Sequence, residues 1–298
     1  MKSLHTSISI VILTYNCDPW IKRTLDRLLT LPGRAVIIAV DNGSTDTTLG
    51  ILYSYEDRIK VVAIGRNIGA AARNVGVSHA TTPYVAFADD DTIWEPHSLN
   101  KCVQYFDLYP KLTVINAKIV VRDEGKLDPI SEEMAHSPLV DSDGLPGQVL
   151  LSFMGGATAM RREAFVRAGG YEEKLFLGGE EELLASEIVR RGGQMRYLDD
   201  IVVRHYPSNQ SAAKLRPYGI RNALWFAWRR RSLGSAIKWT RYIVRSTPKR
   251  LNFVKGIAGF FKGLPWVIRT REPLPEDIER QYKLLDEQRI GASTRSYK

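Results

Sequence analysis

ISIVILTYNCDPWIKRTLDRLLTLPGRAVIIAVDNGSTD, residues Ile8 to Asp46, decides the architecture. Its opening, Ile8–Leu13, is a short β-branched and mostly apolar run, the composition of a strand buried on both faces of a parallel sheet. Helical spacing follows over Asp18–Leu29, where Trp20, Leu25, Leu28 and Leu29 share a face. A second apolar run, AVIIAV (Ala35–Val40), gives way to the turn DNGSTD (Asp41–Asp46). Reading outward, a helix runs into Tyr55, then come KVVAIG (Lys60–Gly65), a small-residue helix around Ala70–Ser78 and the run YVAFA (Tyr84–Ala88). This strand–helix alternation predicts a doubly wound α/β sheet with crossover helices.

In such a sheet, ligands bind beyond the carboxyl ends of the strands. Here those ends carry Thr14-Tyr15-Asn16, Asp41-Asn42, Arg66-Asn67 and Asp89-Asp90-Asp91. Four polar strand ends converging on one crevice say more than any one alone. The acidic triplet is the sharpest of them, because adjacent unit charges repel by roughly 1 to 3 kcal/mol between bulk water and a protein surface. A solvated turn is the plain explanation. A divalent cation is the functional one, since carboxylate oxygens suit Mg2+ or Mn2+ completed by water and phosphate oxygens.

Further on, Thr113–Val121 reads as a strand and Arg122–Gly147 as a polar loop rich in Pro and Gly. Gly155–Glu173 reads as a strand, a short helix and a Gly-Gly break. Glu180–Arg191 is a helix with Leu183, Leu184 and Ile188 inward and Gly192 closing it. Arg196–Leu198 and Ile201–His205 are expected as short strands.

The chain has 298 residues, of which 44% are hydrophobic and 25% charged, which allows one large domain or two modest ones. Of the 42 Lys and Arg, 16 lie between Arg204 and Arg271, where there is no Asp or Glu; the remaining 26 are outnumbered by 33 acidic residues. The basic excess is therefore one C-terminal block, with Trp, Tyr and Phe interleaved among the cations. That texture suits the anionic inner face of a membrane, with a helical dimer interface, a lid or a solvated face as alternatives. Nucleic acid is not expected as a partner, since basic composition alone specifies nothing. Two cysteines, Cys17 and Cys102, imply no disulfide framework and fit a reducing cytoplasm. No apolar window is long enough to span a bilayer.

Over residues 7 to 206 the motifs resemble the family 2 glycosyltransferases of GT-A fold. ISIVILTYN with VDNGSTD is similar to the family's nucleotide-binding opening, and GRNIGAAARNVGVSHATTPYVAFADDDTIWEP to its middle, ending in an acidic motif of DxD type. GGATAMRREAFVRAGGYEEKLFLGGEEELLASEIVRRGG and YLDDIVVRH resemble its acceptor half. The resemblance implies an inverting, metal-dependent hexosyl- or deoxyhexosyltransferase. It implies a catalytic domain over 1–212, with a nucleotide-sugar half to about 95, before a basic helical region over 213–298. Donor-binding residues would be Thr14, Tyr15, Asn16, Asp41, Asn67, Arg73, Asp89 and Asp90, with Asn74 on the same side. Asp41 accepting from an imide N–H favours a UDP- or dTDP-sugar. The metal residues would be Asp91 first, with Asp89 and His205. Gly179-Glu180-Glu181 matches the family's Gly-Glu-Asp turn, making Glu181 the general base with Glu180 beside it; Glu replaces Asp at 181. Trp94, Gly155 and Gly156 would line the acceptor cleft. The partners implied are a nucleoside-diphosphate sugar and a carbohydrate or lipid-linked acceptor, with a homodimer also open.

A sugar nucleotidyltransferase or a dehydrogenase would need a phosphate-gripping Gly-rich loop after the first strand, where this chain has TYNCDPW. A non-catalytic nucleotide-sugar binder would be expected to lack the acidic pair or the base.

Overall fold

The computed structural model describes residues 7–207, 212–248 and 250–291. Its strands are β1 (Ile8–Thr14), β2 (Val36–Asp41), β3 (Lys60–Ala63), β4 (Tyr84–Asp89), β5 (Thr92–Trp94), β6 (Leu112–Val121), β7 (Lys126–Leu127), β8 (Gln148–Val149), β9 (Thr158–Arg161) and β10 (Gln194–His205). The helices are α1 (Asp18–Leu29), α2 (Thr48–Tyr53), α3 (Ala72–His79), α4 (Ser98–Leu108), α5 (Pro129–Ala135), α6 (Arg162–Arg167), α7 (Glu180–Arg190), α8 (Ala212–Arg230), α9 (Leu233–Ser246), α10 (Leu251–Arg269) and α11 (Glu276–Gly291).

The strands form one sheet in the order β3-β2-β1-β4-β9-β6-β10-β5, with β7 and β8 at its margins. Pairs β1–β2, β2–β3, β1–β4 and β6–β10 are parallel, while β9 runs antiparallel between β4 and β6. Strand order reverses at β1, with β2 on one side and β4 on the other. The crevice beyond Thr14 and Asp89 is thus the switch point where such sheets bind ligands.

The apolar runs are buried on both faces, as their composition predicts. Ile8, Ile10 and Ile12 join Leu25, Trp94 and Phe106 on one side of the sheet, and Val11, Val85 and Phe87 join Phe165, Tyr171 and Leu184 on the other. Three local expectations need correction. Trp20 is 39% exposed and Ile21 takes its inward place on α1, because the true buried stripe is Ile21, Leu25 and Leu28. The polar loop after β6 contains α5, whose start Asp128 caps by accepting from the Ile130 N–H at 2.9 Å. The two short strands near residue 200 are one strand, β10, with a register shift against β6 between Leu198 and Val202.

The helices from Ala212 onward bury a third cluster, in which Ile220, Leu224, Trp225, Phe226, Phe260 and Tyr282 meet Leu151, Leu175 and Leu183 of the α/β body. Much of the aromatic and basic interleaving is therefore internal. Arg221 lies 4.2 Å from the Trp225 ring centroid, Arg229 4.8 Å from that of Trp266 and Arg231 4.9 Å from that of Tyr282. Arg230 pairs with Glu187 and Glu272, and Arg231 with Glu279 and Asp286. The expected boundary after residue 212 adjoins residues 208–211, which lie outside the described residues, as do 292–298.

Candidate active site

The strand ends build a crevice of about 840 Å³ lined by Tyr15, Asn16, Trp20, Asn42, Asn67, Arg73, the acidic triplet, Phe176, Leu177 and His205. Asn16 adopts a left-handed conformation (φ 49°), and its Oδ1 accepts from the Thr45 N–H at 2.8 Å, tying the β1 and β2 turns together. Asn42 and Asn67 are bonded to each other at 3.0 Å, and Asn42 Oδ1 accepts from the Ile68 N–H at 2.9 Å. These amides fix the crevice wall.

Thr14 lies behind that wall. It is 1% exposed and its hydroxyl donates to the Val40 carbonyl, so its side chain braces β1 on β2. Asp41 is equally buried. Its Oδ2 accepts from the N–H groups of Gly43 and Ser44, while Oδ1 is a buried acceptor with no partner among the described residues. Asn74 is a brace as well, exchanging hydrogen bonds of 2.8 Å with both backbone groups of Tyr171.

At the end of β4 the three aspartates diverge. Asp89 is ion-paired with Arg73, a buried guanidinium on α3 that also faces Glu180 and Glu181. Asp90 turns toward Cys17; burial first, then Asp91 and Asp89, raise its pKa to about 7. Asp91 faces His205, whose Nε2 lies 3.5 Å from its Oδ2. The pairing of β5 with the end of β10, Thr92 opposite His205, delivers the histidine to this place. On its other side, Nδ1 stands 3.6 Å from Asp128 Oδ2, too long for a hydrogen bond but close enough for an ion pair. Burial opposes a charge on His205, but Asp128 and Asp91 outweigh it and raise its pKa to about 9.

Among the described residues no group of three or more His, Cys, Asp or Glu side chains is gathered to hold a metal ion, so Asp91 and His205 would need water and a diphosphate to complete a divalent cation's shell. Asp89 fits less well than expected, since its Oδ1 is committed to Arg73.

Arg73 links this half to the next. Gly155 and Gly156 open a tight turn beside it, and both are buried. A Cβ at Gly156 would stand 2.4 Å from Asp89 Oδ2, and one at Gly155 would stand 3.4 Å from both Arg73 Nη2 and Glu181 Oε1. The glycines make room for the ionic cluster. Trp94 is fully buried, with its indole N–H donating to the Phe87 carbonyl at 3.0 Å.

Glu180 and Glu181 open α7 but face different surroundings. Glu180 is 3% exposed with Oε2 unpartnered, and burial together with Glu181 raises its pKa well above the usual range. Burial raises that of Glu181 too, with Arg73 opposing. Glu181 alone of the two lines a second cavity of about 390 Å³ with Met134, Phe153, Met154, Leu285 and Gln288. This second cavity was not legible in the sequence. It is made by α5 and α11, from stretches read as a loop and as a basic tail, and only Asp128-Pro129 hinted at a helix there.

Residues 9–168 match glycosyl transferase family 2. The chain is 38% identical over 96 residues to validoxylamine A glucosyltransferase of Streptomyces hygroscopicus subsp. limoneus, covering 30% of this chain and 21% of that protein. Across curated relatives that it matches, the chain spans between 11% and 59% of their length. Among solved structures, Staphylococcus aureus TarS 1-349 superposes with a TM-score of 0.60 at 17% identity, covering 96% of this chain and 92% of that one. The mannosyltransferase PcManGT of Pyrobaculum calidifontis, solved with GDP-Man and Mn2+, superposes with a TM-score of 0.59 at 19% identity, covering 97% and 81%. At these identities the likeness establishes the GT-A fold.

Proposed function

The chain belongs to glycosyl transferase family 2, and from that premise we propose that it moves a sugar from a UDP- or dTDP-sugar to an acceptor hydroxyl with inversion at the anomeric carbon. The observation that carries this reading is the place of Glu181, which lines the second cavity and feels the charge of Arg73, itself in the wall of the strand-end crevice. A donor in the crevice and an acceptor in the cavity meet at this carboxylate.

The crevice walls orient the nucleoside. The unpartnered Oδ1 of Asp41 suits the imide N–H of uracil or thymine, the donor that would satisfy it. Arg73 stabilises the negative charge gathered by Asp89 and the incoming diphosphate. Asp91 and His205 would hold Mg2+ or Mn2+, which when bound neutralises charge on the leaving diphosphate. Asp128 orients His205 from behind. Glu181 Oε accepts the acceptor hydroxyl's proton, and the pKa raised by burial makes it a stronger base than a solvated carboxylate. The acceptor is a carbohydrate or lipid-linked carbohydrate of a cell-surface polysaccharide or glycolipid, and the compartment is the cytoplasm, which the two free cysteines suit. Residues 1–212 serve as the catalytic domain and 213–298 as a helical region.

The test is thermal stabilisation by UDP, dTDP and GDP with and without Mn2+, followed by release of nucleoside diphosphate from the matching sugars. UDP or dTDP with Mn2+ should stabilise most, and Asp91→Asn should abolish turnover while the protein stays folded. Preference for GDP would overturn the donor reading, and unchanged Mn2+-dependent turnover in Asp91→Asn would overturn the metal assignment.

A further inference from the structure

α10 is apolar on two opposite sides, and only one of them is used. Gly256, Gly259 and Gly263 press it onto α8, so close that a Cβ at Gly256 would stand 2.8 Å from Ile220 Cβ and one at Gly263 would stand 2.2 Å from the Trp225 ring. The other side carries Leu251, Val254, Ala258, Phe261, Pro265 and Ile268, recurring every three or four residues along the whole helix. This stripe faces outward: Leu251 is 67% exposed, Val254 58%, Phe261 62% and Ile268 65%. Monomers rarely leave such a continuous apolar row in water.

Charge identifies what covers it. Lys255, Lys262 and Arg269 are exposed and repeat every seven residues along one flank of the stripe. On α9, exposed Leu233, Ile237 and Val244 stand among exposed Lys238, Arg241 and Arg245. Arg221 and Arg230 are turned inward onto the α/β body, and Arg229 and Arg231 bond to Thr270 and Glu279 of the helical region, whereas these six cations face outward. A second copy laid on the stripe would oppose like charges. An anionic lipid surface offers both an apolar layer for Phe261 and Ile268 and phosphates for the flanking cations. Among the described residues no helix is long and apolar enough to cross a membrane, so this contact lies along the surface.

We propose that the outer apolar stripe of α10, with its flanking cations, docks in the plane of an anionic bilayer. The proposal stands independently of the reaction assigned above. Its test is flotation of the full chain with phosphatidylcholine vesicles lacking or containing about 30% phosphatidylglycerol, with light scattering for oligomeric state. The protein should float with the anionic vesicles only, and less as salt rises. Lys255→Glu/Lys262→Glu/Arg269→Glu should weaken partitioning about 100-fold or more, at about fivefold per cation removed. Phe261→Asp should weaken it comparably, and both variants should keep wild-type nucleotide binding and circular dichroism, because the changed side chains face outward. No flotation of the wild type, or equal flotation of both variants, would overturn the proposal. So would a dimer in solution that Phe261→Asp dissolves, since a second copy would then own the stripe.

Discussion

Glu181 carries one methylene more than the aspartate of the family turn it matches, and its carboxylate lines the second cavity with the Arg73 charge nearby. Glu181→Gln should lower kcat by about 10²- to 10⁴-fold with donor affinity nearly unchanged, as measured by transfer rates beside nucleotide titration. Glu180→Gln should cost less than about tenfold, because its side chain is buried beneath the cavity rather than lining it. Gly156 makes a different demand. Alanine there would drive a methyl into Asp89 and break its pair with Arg73, so Gly156→Ala should weaken donor binding and destabilise the fold by about 1 to 3 kcal/mol, read by calorimetry and denaturant melts. At this scale the sequence was partly readable. Residue types at strand ends announced a polar crevice, but which aspartate pairs with Arg73 and which with His205 depends on side chains joined across the sheet. Trp94 shows the limit, for an aromatic beside an acidic motif reads the same whether it is exposed or fully buried.

Among elements, β1, β2 and β4 were the most legible, because a strand buried on both faces must be apolar at nearly every position, whereas β3 is a part-exposed edge. The C-terminal helices were less so. α10 is apolar nearly all round, and composition cannot say which side meets α8; the glycine row decides it, and its meaning appears only once Ile220, Arg221 and Trp225 are seen against it. Gly263→Ala tests this. Helix propensity favours alanine by about 1 kcal/mol, yet the added methyl meets a Trp225 ring held by its own hydrogen bond to the Phe260 carbonyl. The clash should win, with a net loss of about 1 to 3 kcal/mol in urea unfolding.

For the whole molecule, the buried Arg230–Glu187 pair joins the helical region to the α/β body, and Arg231 with Glu279 and Asp286 ties the end of α8 to α11 within that region. Burial works against charge on Glu187 and Glu279, but Arg190, Arg191 and Arg230 around the first and Ser235, Ser232 and Arg231 around the second outweigh it and hold both pKa values low. Groups with lowered folded pKa values stabilise fully above the unfolded carboxylate range and lose that contribution as pH falls through the folded value. Thermal stability should therefore hold steady down to about pH 4.5 and then decline. Glu187→Gln should lower the melting temperature at pH 7 and flatten that decline, followed by tryptophan fluorescence. The order of the chain adds one consequence. The strand-end crevice is complete once Leu215 has been made, whereas the wall of the second cavity waits for Leu285 and Gln288, and for Tyr282 to reach the Leu151 carbonyl. A nascent chain emerging from the ribosome would thus acquire its nucleotide site some seventy residues before its acceptor site. Polypeptides cut short between the two would be expected to hold donor with nowhere to pass the sugar.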